Sequence, residues 1–404
     1  MRDAFLSLWL PAGASGLATG MIAPVLPALA KSFEVTVGVA SLVFIVHMAG
    51  SAIGTLPTGF MIDRFGRRKV LIAGPIITAL AAFAIVWAGS FTEILVYRFI
   101  GGWGQQMWAL SRLTVIADSA GTTRGRQVTS MFGAQRVGTL LGPVVGGIAA
   151  ETWGLDVPFM VMGIVLLAGV LPSALVIRDA PRKRHVEGGK PEPSLNWRSF
   201  LVAPIPAVFS AQFLINVARG GVENGGVMFL YGAYAYDAGP ATLGILSSIM
   251  AGASIPIALI AGVVMDTRGR KHVIIPGTAS LTVALVLMAV TSFADLPFSA
   301  FVGGFILTHF AVSIMLGAWQ TLSTDVAPAY GRGTFFGASR LVSHSGRLAS
   351  PSAFALVYEL LGYGAAFVFL AGGAVASGAV VLFLFKETLG RDADTDEQRK
   401  PAGR

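Results

Sequence analysis

Apolar positions in this chain come in long uninterrupted runs, and polar positions gather in short basic clusters between them. Runs long enough to cross about 30 Å of hydrocarbon as helices predict spans at roughly 5–30, 37–62, 70–89, 94–117, 128–150, 157–177, 201–231, 241–265, 273–292, 298–324, 334–358 and 364–385. The first run competes with a secretory leader, because Ala28-Leu29-Ala30 resembles a cleavage site. Its apolar core is too long for a leader and further runs follow it, so it is read as a span.

Composition gives the same answer. Hydrophobic residues make up 54% of the 404 and charged residues 12%, against about 25% charged in a soluble domain. There is too little charge to coat a globule of this size, so much of the surface must face lipid. A net charge of +8 raises the question of nucleic acid, but a binder needs its Lys and Arg on one solvent face. With both termini placed in the cytoplasm, 22 of the 29 basic residues fall in inner segments, Lys31 alone in an outer one, and six within spans. That bias orients the chain and accounts for the charge without an acidic partner. There is no cysteine, which excludes disulfides, thiolate metal sites and thiol catalysis.

The longest inner segment divides the spans six and six. Residues 1–178 are expected to form one six-helix bundle, 179–200 a charged cytoplasmic linker with Pro and Gly, 201–388 a second bundle, and 389–404 a cytoplasmic tail. The halves repeat. Gly59-Phe-Met-Ile-Asp63-Arg-Phe-Gly66-Arg67-Arg68 aligns with Gly262-Val-Val-Met-Asp266-Thr-Arg-Gly269-Arg270-Lys271, and Phe132-Gly-Ala-Gln-Arg136 with Phe336-Gly-Ala-Ser-Arg340, at nearly one offset. Six spans per copy give both copies the same orientation, related by an axis along the membrane normal with a site between them near the midplane.

In the loop motif, Gly59 and Gly66 allow close approach and a tight turn. Asp63 can accept from a helix N-terminus, and Arg64 and Arg67 can bridge to carboxylates on neighbouring helix ends. A plain basic topogenic loop would explain the arginines but not the placed Asp and Gly, nor their return at Asp266, Gly269 and Arg270. The motif is therefore read as a gating latch.

These residues resemble the signature of the major facilitator superfamily, G-x3-D-R-x-G-R-R/K. The likeness extends over the chain: the span count, the duplication, the linker, Asp118 with Arg124-Gly125-Arg126 after helix four, and an ending Lys386-Glu387-Thr388-Leu389-Gly390 similar to P-E-T-x-G. The second-half motif has Thr267 in place of arginine. The resemblance implies an all-α integral membrane fold, twelve transmembrane helices in two pseudo-symmetric six-helix bundles, and commonly a monomer. Arg98-x3-Gly102-x-Gly104 resembles the motif of the twelve-helix drug:proton antiporters, where the arginine is linked to proton coupling. Gly138-x3-Gly142-Pro143-x2-Gly146-Gly147 resembles the antiporter motif of that branch, a smooth bent face for helix packing.

Charge inside a span is costly and marks function by default. Six arginines lie within spans against one carboxylate, Glu223. Arg98, Gln105 and Arg112 share a face of helix four; Asn216, Arg219 and Glu223 share one in helix seven, where Arg219 and Glu223 are spaced to pair; Arg340, His344 and Arg347 form a stripe in helix eleven. Three such stripes imply a wet, electropositive cavity. Arg112, Arg136 and Arg340 sit near inner helix ends and can instead snorkel. His47 and His309 read equally as packed core histidines. Unpaired guanidinium groups favour an organic anion or zwitterion, and Glu223 is the candidate proton carrier.

The reading is a secondary transporter of the inner membrane that moves a small organic solute by proton-coupled efflux. It needs no cofactor beyond the proton gradient and no metal. An uptake symporter for an organic anion fits the fold and the charge as well. A membrane enzyme or transport-dead receptor is the remaining class, but there is no HExxH, no GxSxG and no phosphate-binding loop.

Overall fold

The computed structural model describes residues 9–117, 121–176, 204–223, 226–315, 317–327 and 332–385. They are helical almost throughout. In order come α1 (Leu10–Ile22), α2 (Leu26–Ser32), α3 (Val37–Phe65), α4 (Arg67–Val86), α5 (Phe91–Ala117), α6 (Gly121–Trp153), α7 (Val157–Val176), α8 (Ile205–Gly220), α9 (Gly226–Ala235), α10 (Pro240–Arg268), α11 (Lys271–Phe293), α12 (Phe298–Ile314), α13 (Ala318–Val326) and α14 (Arg332–Leu384). The expected linker and tail lie outside the described residues.

Three expected spans are broken. Pro24 and Pro27 bracket the bend of about 40° between α1 and α2, since each removes a backbone donor. The seventh span stops at Gly220 and resumes at Gly226, and the tenth breaks before Gly317, which has φ 102°. The eleventh and twelfth expected spans both lie in α14, where the non-helical backbone of Gly362, φ 82°, separates them. Among the described residues seven helices are long and apolar enough to cross a membrane, or eight with the bent α1–α2 pair counted as one. The breaks and the α14 junction account for much of the difference from twelve.

The duplication reaches into the backbone. Glu34 precedes α3 at φ 55° and Asp237 precedes α10 at φ 52°; Gly66 ends α3 at φ 89° and Gly269 follows α10 at φ 101°. Both pairs stand at the offset of the repeated motif. Gly154 after α6, φ 111°, has Gly362 as its partner at the end of the fifth helix of the second half. Positive φ is unfavourable for residues with a side chain, so its recurrence at matched positions marks a repeated turn geometry.

The chain divides into two compact units. One comprises residues 1–187, 224–252 and 351–362, the other 188–223, 253–350 and 363–404. Within the first, α1 lies along α6. A Cβ on Gly138, Gly142 or Gly146 would stand 2.1 to 2.6 Å from the carbonyl oxygens of Gly13, Leu17 and Met21, so the glycine string is a seam that lets two backbones touch. Its apolar core includes Ile22, Leu26, Val43, Ile85, Ile94 and Phe159. The second unit packs α8 against the first half of α14, with Gly220 against the Arg347 backbone and Gly346 against Phe213.

Candidate functional site

In the second unit the break after Gly220 decides the charge pairing. Gly220 and Gly221 stop α8 before Glu223, so Arg219 and Glu223 are not neighbours on one helix face. The expected Arg219–Glu223 ion pair does not form. Glu223 instead meets Arg347 from α14, Nη2 to Oε2 at 2.9 Å and to Oε1 at 3.2 Å. Arg347 Nε also donates to Asn216 Oδ1 at 3.3 Å, and Asn216 is held by donating to the Gln212 carbonyl at 2.7 Å. Ser350, a turn after Arg347, accepts from the Gly221 amide at 2.7 Å and secures the broken end of α8. Arg219 is half-buried, and its buried Nε has no hydrogen-bond partner among the described residues. Two guanidinium groups thus flank one carboxylate, and the local charge is positive.

The first unit holds a second polar group. Arg98 Nε donates to the Val43 carbonyl at 3.3 Å. Gln105, two turns along α5, meets His47 of α3, Oε1 to Nε2 at 2.8 Å, and its Nε2 donates to Thr19 Oγ1 of α1 at 3.4 Å. His47 Nδ1 lies 3.2 Å from the Arg98 carbonyl. Gly102 lets the two helices close here, since a Cβ would stand 2.1 Å from the His47 carbonyl.

A Major Facilitator Superfamily profile matches residues 8–351 and 220–403. The chain belongs to this superfamily. Multidrug resistance protein MdtG of Enterobacter lignolyticus is 25% identical over 377 residues, 89% of this chain and 87% of that one. Quinolone resistance protein NorA of Staphylococcus aureus is 27% identical over 195 residues, 47% of this chain and 50% of its own. The crystal structure of a D-xylose-proton symporter superposes with a TM-score of 0.72 at 16% identity, over 96% of this chain and 97% of that one. A major facilitator protein is a multi-pass membrane transporter, not an enzyme. The all-α membrane fold expected from the sequence is the fold observed.

The remaining expected site residues of this facilitator fall apart into distinct environments. Arg112 does not join Arg98: it is buried with its guanidinium 3.7 Å over the Trp108 ring, a cation–π contact. Its place near the C-terminal end of α5 is therefore a packed one and not a snorkelling one. Arg136, Arg340 and His344 are exposed along their helices. Asp118 and the side chain of Arg124 lie outside the described residues. Asp63 and Arg64 are exposed at the end of α3, and Gly66 makes the turn into α4 that carries Arg67. Gly59 has open space where a Cβ would stand, so the close approach expected there is made by Gly50 and Gly54 against Phe99 and Trp103. In the repeat, Asp266 is exposed, and Arg270 pairs with Asp325 at 2.7 Å after the Gly269 turn.

Sequence reasoning passes over one partner, Gln212, and leaves His47 open. His47 was undistinguished from a core histidine until Gln105 came opposite. Gln212 Oε1 accepts a hydrogen bond from Ser339 Oγ at 2.8 Å and its Nε2 donates to Ser323 Oγ; its signal in the sequence is its position one turn before Asn216. His309 bonds the Phe305 carbonyl of its own helix at 3.1 Å and packs at a tilt against the Phe305 ring, a packed histidine.

Proposed function

We propose that this protein exports a small zwitterionic or anionic organic solute in exchange for protons, by alternating access, from an inner membrane with both termini in the cytoplasm. The observation that carries the reading is the Glu223–Arg347 pair beside the unpartnered Nε of Arg219. A carboxylate or phosphate on the solute takes the Arg219 guanidinium. A cationic group on the same solute takes Glu223, where it competes with the proton. Competition between proton and solute for one carboxylate is the requirement for antiport, and the MdtG and NorA likenesses agree with export.

The same geometry favours a second reading for a solute that is purely anionic. Protonating Glu223 frees Arg347, so an anion and a proton then bind together, which is symport. The sign of the proton change separates the two. Purified protein in weak buffer is screened by thermal shift against anionic, zwitterionic and cationic drugs, and each stabilising compound is then added with a pH indicator present. Acidification on binding, abolished by Glu223→Gln, supports antiport; alkalinisation supports symport. Uphill transport by Glu223→Gln in vesicles under a pH gradient would remove Glu223 from either scheme.

A further inference from the structure

Both ring nitrogens of His47 face carbonyl oxygens. Nδ1 is 3.2 Å from the Arg98 backbone oxygen, and Nε2 is 2.8 Å from Gln105 Oε1. A carbonyl oxygen only accepts, so this arrangement is satisfied in full by a ring that carries a proton on each nitrogen. The Gln105 amide then completes the set by donating from Nε2 to Thr19 Oγ1 at 3.4 Å, while the Thr19 hydroxyl donates to the Ser15 carbonyl at 2.8 Å.

The neutral ring has an equally complete network. If the Gln105 amide turns over, its NH2 donates to an unprotonated Nε2, and its oxygen faces Thr19, whose hydroxyl can donate to it. Nδ1–H still donates to the Arg98 carbonyl. The two protonation states of His47 therefore differ by one amide reversal, and neither leaves a buried donor or acceptor unmet, which is the usual obstacle to moving a proton inside a protein. A lone core histidine held by a backbone carbonyl, as His309 is, has no such second arrangement.

The charged group that faces His47 is Arg98, whose Nε is held one turn away at the Val43 carbonyl; from α1 and α5 the facing groups are the neutral Thr19 and Gln105. Thr19 is exposed, while Gln105 and His47 are half-buried, so the three form a polar file from an accessible surface of α1 inward to Arg98.

We propose that His47 is a second proton-binding residue of this transporter, and that Gln105 reverses its amide to report the protonation state to Thr19. A hydronium ion entering at the accessible Thr19 end gives its proton to Nε2: one O–H bond breaks, the N–H bond forms and water leaves, and release is the reverse. A proton on His47 sits beside the Arg98 guanidinium, so its uptake and release alter the charge that Arg98 presents to a substrate. The inference rests on the proton-coupled reading above but places its group on α3, apart from Glu223.

Imidazole nitrogen NMR on protein labelled at histidine, with His47 assigned by its absence from His47→Gln, tests it directly. On acidification the His47 signals are expected to move from one protonated nitrogen to two, at a lower pH than for a free imidazole because the ring is half-buried beside the Arg98 guanidinium. In Gln105→Leu, which can neither accept nor donate, that titration is expected to shift or vanish. Proton-driven flux in His47→Gln vesicles is expected to lose one step of its pH profile, with the protein still folded by thermal melt. A single neutral tautomer at every pH down to acid unfolding, or an unchanged flux profile in His47→Gln, would overturn the proposal. Because the NMR reading needs no transport, it can fail while Glu223 coupling stands, and the reverse.

Discussion

The Glu359 carboxylate caps the start of α3: Oε1 accepts from the Gly38 amide at 3.1 Å and from the Thr36 hydroxyl at 2.8 Å. Glu151 does the same for α10, accepting from the Ala241 amide at 3.0 Å. Each glutamate stands three residues before a positive-φ glycine, Gly362 and Gly154, that closes the fifth helix of its half. Each reaches the second helix of the opposite half, at the end away from the Asp63 and Asp266 motifs. The halves thus exchange equivalent bonds, each placing an anion at the positive end of a helix dipole.

This exchange has a measurable consequence. The chain has no cysteine, so a single Ser41→Cys substitution gives a clean reporter. Ser41 is fully buried in the first turns of α3 and donates to the Gly38 carbonyl at 2.6 Å. Glu359→Gln or Glu151→Gln weakens a charge–dipole contact of roughly 0.3–1 kcal/mol, which is about a two- to five-fold faster labelling of Cys at 41 by a soluble maleimide. The two substitutions are expected to act together. Unchanged labelling in the double variant would mean that the glutamates do not hold this end.

Nearby, Lys31 donates to the Asp237 carboxylate, and this bond holds the Asp237 pKa below the ordinary carboxylate value. A depressed folded value means stability that is present above the unfolded pKa of about 3.9 and is lost as pH falls through the lower, folded one. The melting temperature of Asp237→Asn should therefore sit below wild type by a constant amount from pH 5 to 7, with the gap closing only in strong acid. Both partners are exposed, so the gap should shrink in high salt. A gap that grows on acidification would contradict the pairing.

For the Glu223–Arg347 pair, a double-mutant cycle reads the coupling. Arg347→Ala leaves Glu223 without its ion-pair partner, and Glu223→Gln removes the charge. Removing one member of a fully buried pair costs about 3–5 kcal/mol; these side chains are 20% and 36% exposed, and solvent reduces the figure to about 1–2 kcal/mol. The double variant is expected to be more stable than Arg347→Ala alone, by thermal unfolding in detergent. Additive effects would show that the contact contributes nothing.

How much was legible in the sequence depended on how local the signal was. Long apolar runs and the turn glycines Gly66 and Gly269 act through the bilayer or a single backbone position, and they could be read directly. The Glu223–Arg347 pair could not, because helical spacing pointed to Arg219. The Gly220-Gly221 doublet that ends α8 was the available warning. His47 with Gln105, and Glu359 with Gly38, join residues far apart in the chain, and no periodicity marks such a pair. The Gly138–Gly147 string was visible as a smooth face, but the α1 carbonyls that Gly138, Gly142 and Gly146 meet were not.

That string supports one further expectation. A Cβ at Gly146 would stand 2.1 Å from the Met21 carbonyl oxygen and 2.5 Å from its Cα. Those are backbone atoms of α1, so they cannot swing aside as a flexible side chain could. Gly146→Val must push α1 and α6 apart, and overpacking of this kind costs about 1–3 kcal/mol. Gly133, earlier on α6, has open space around its missing Cβ; Gly133→Ala is expected to gain roughly 0.5–1 kcal/mol from helix propensity alone. Thermal unfolding of the two variants in one detergent should move in opposite directions from wild type. If Gly146→Val melts with wild type, the contact between α1 and α6 is looser than these distances require.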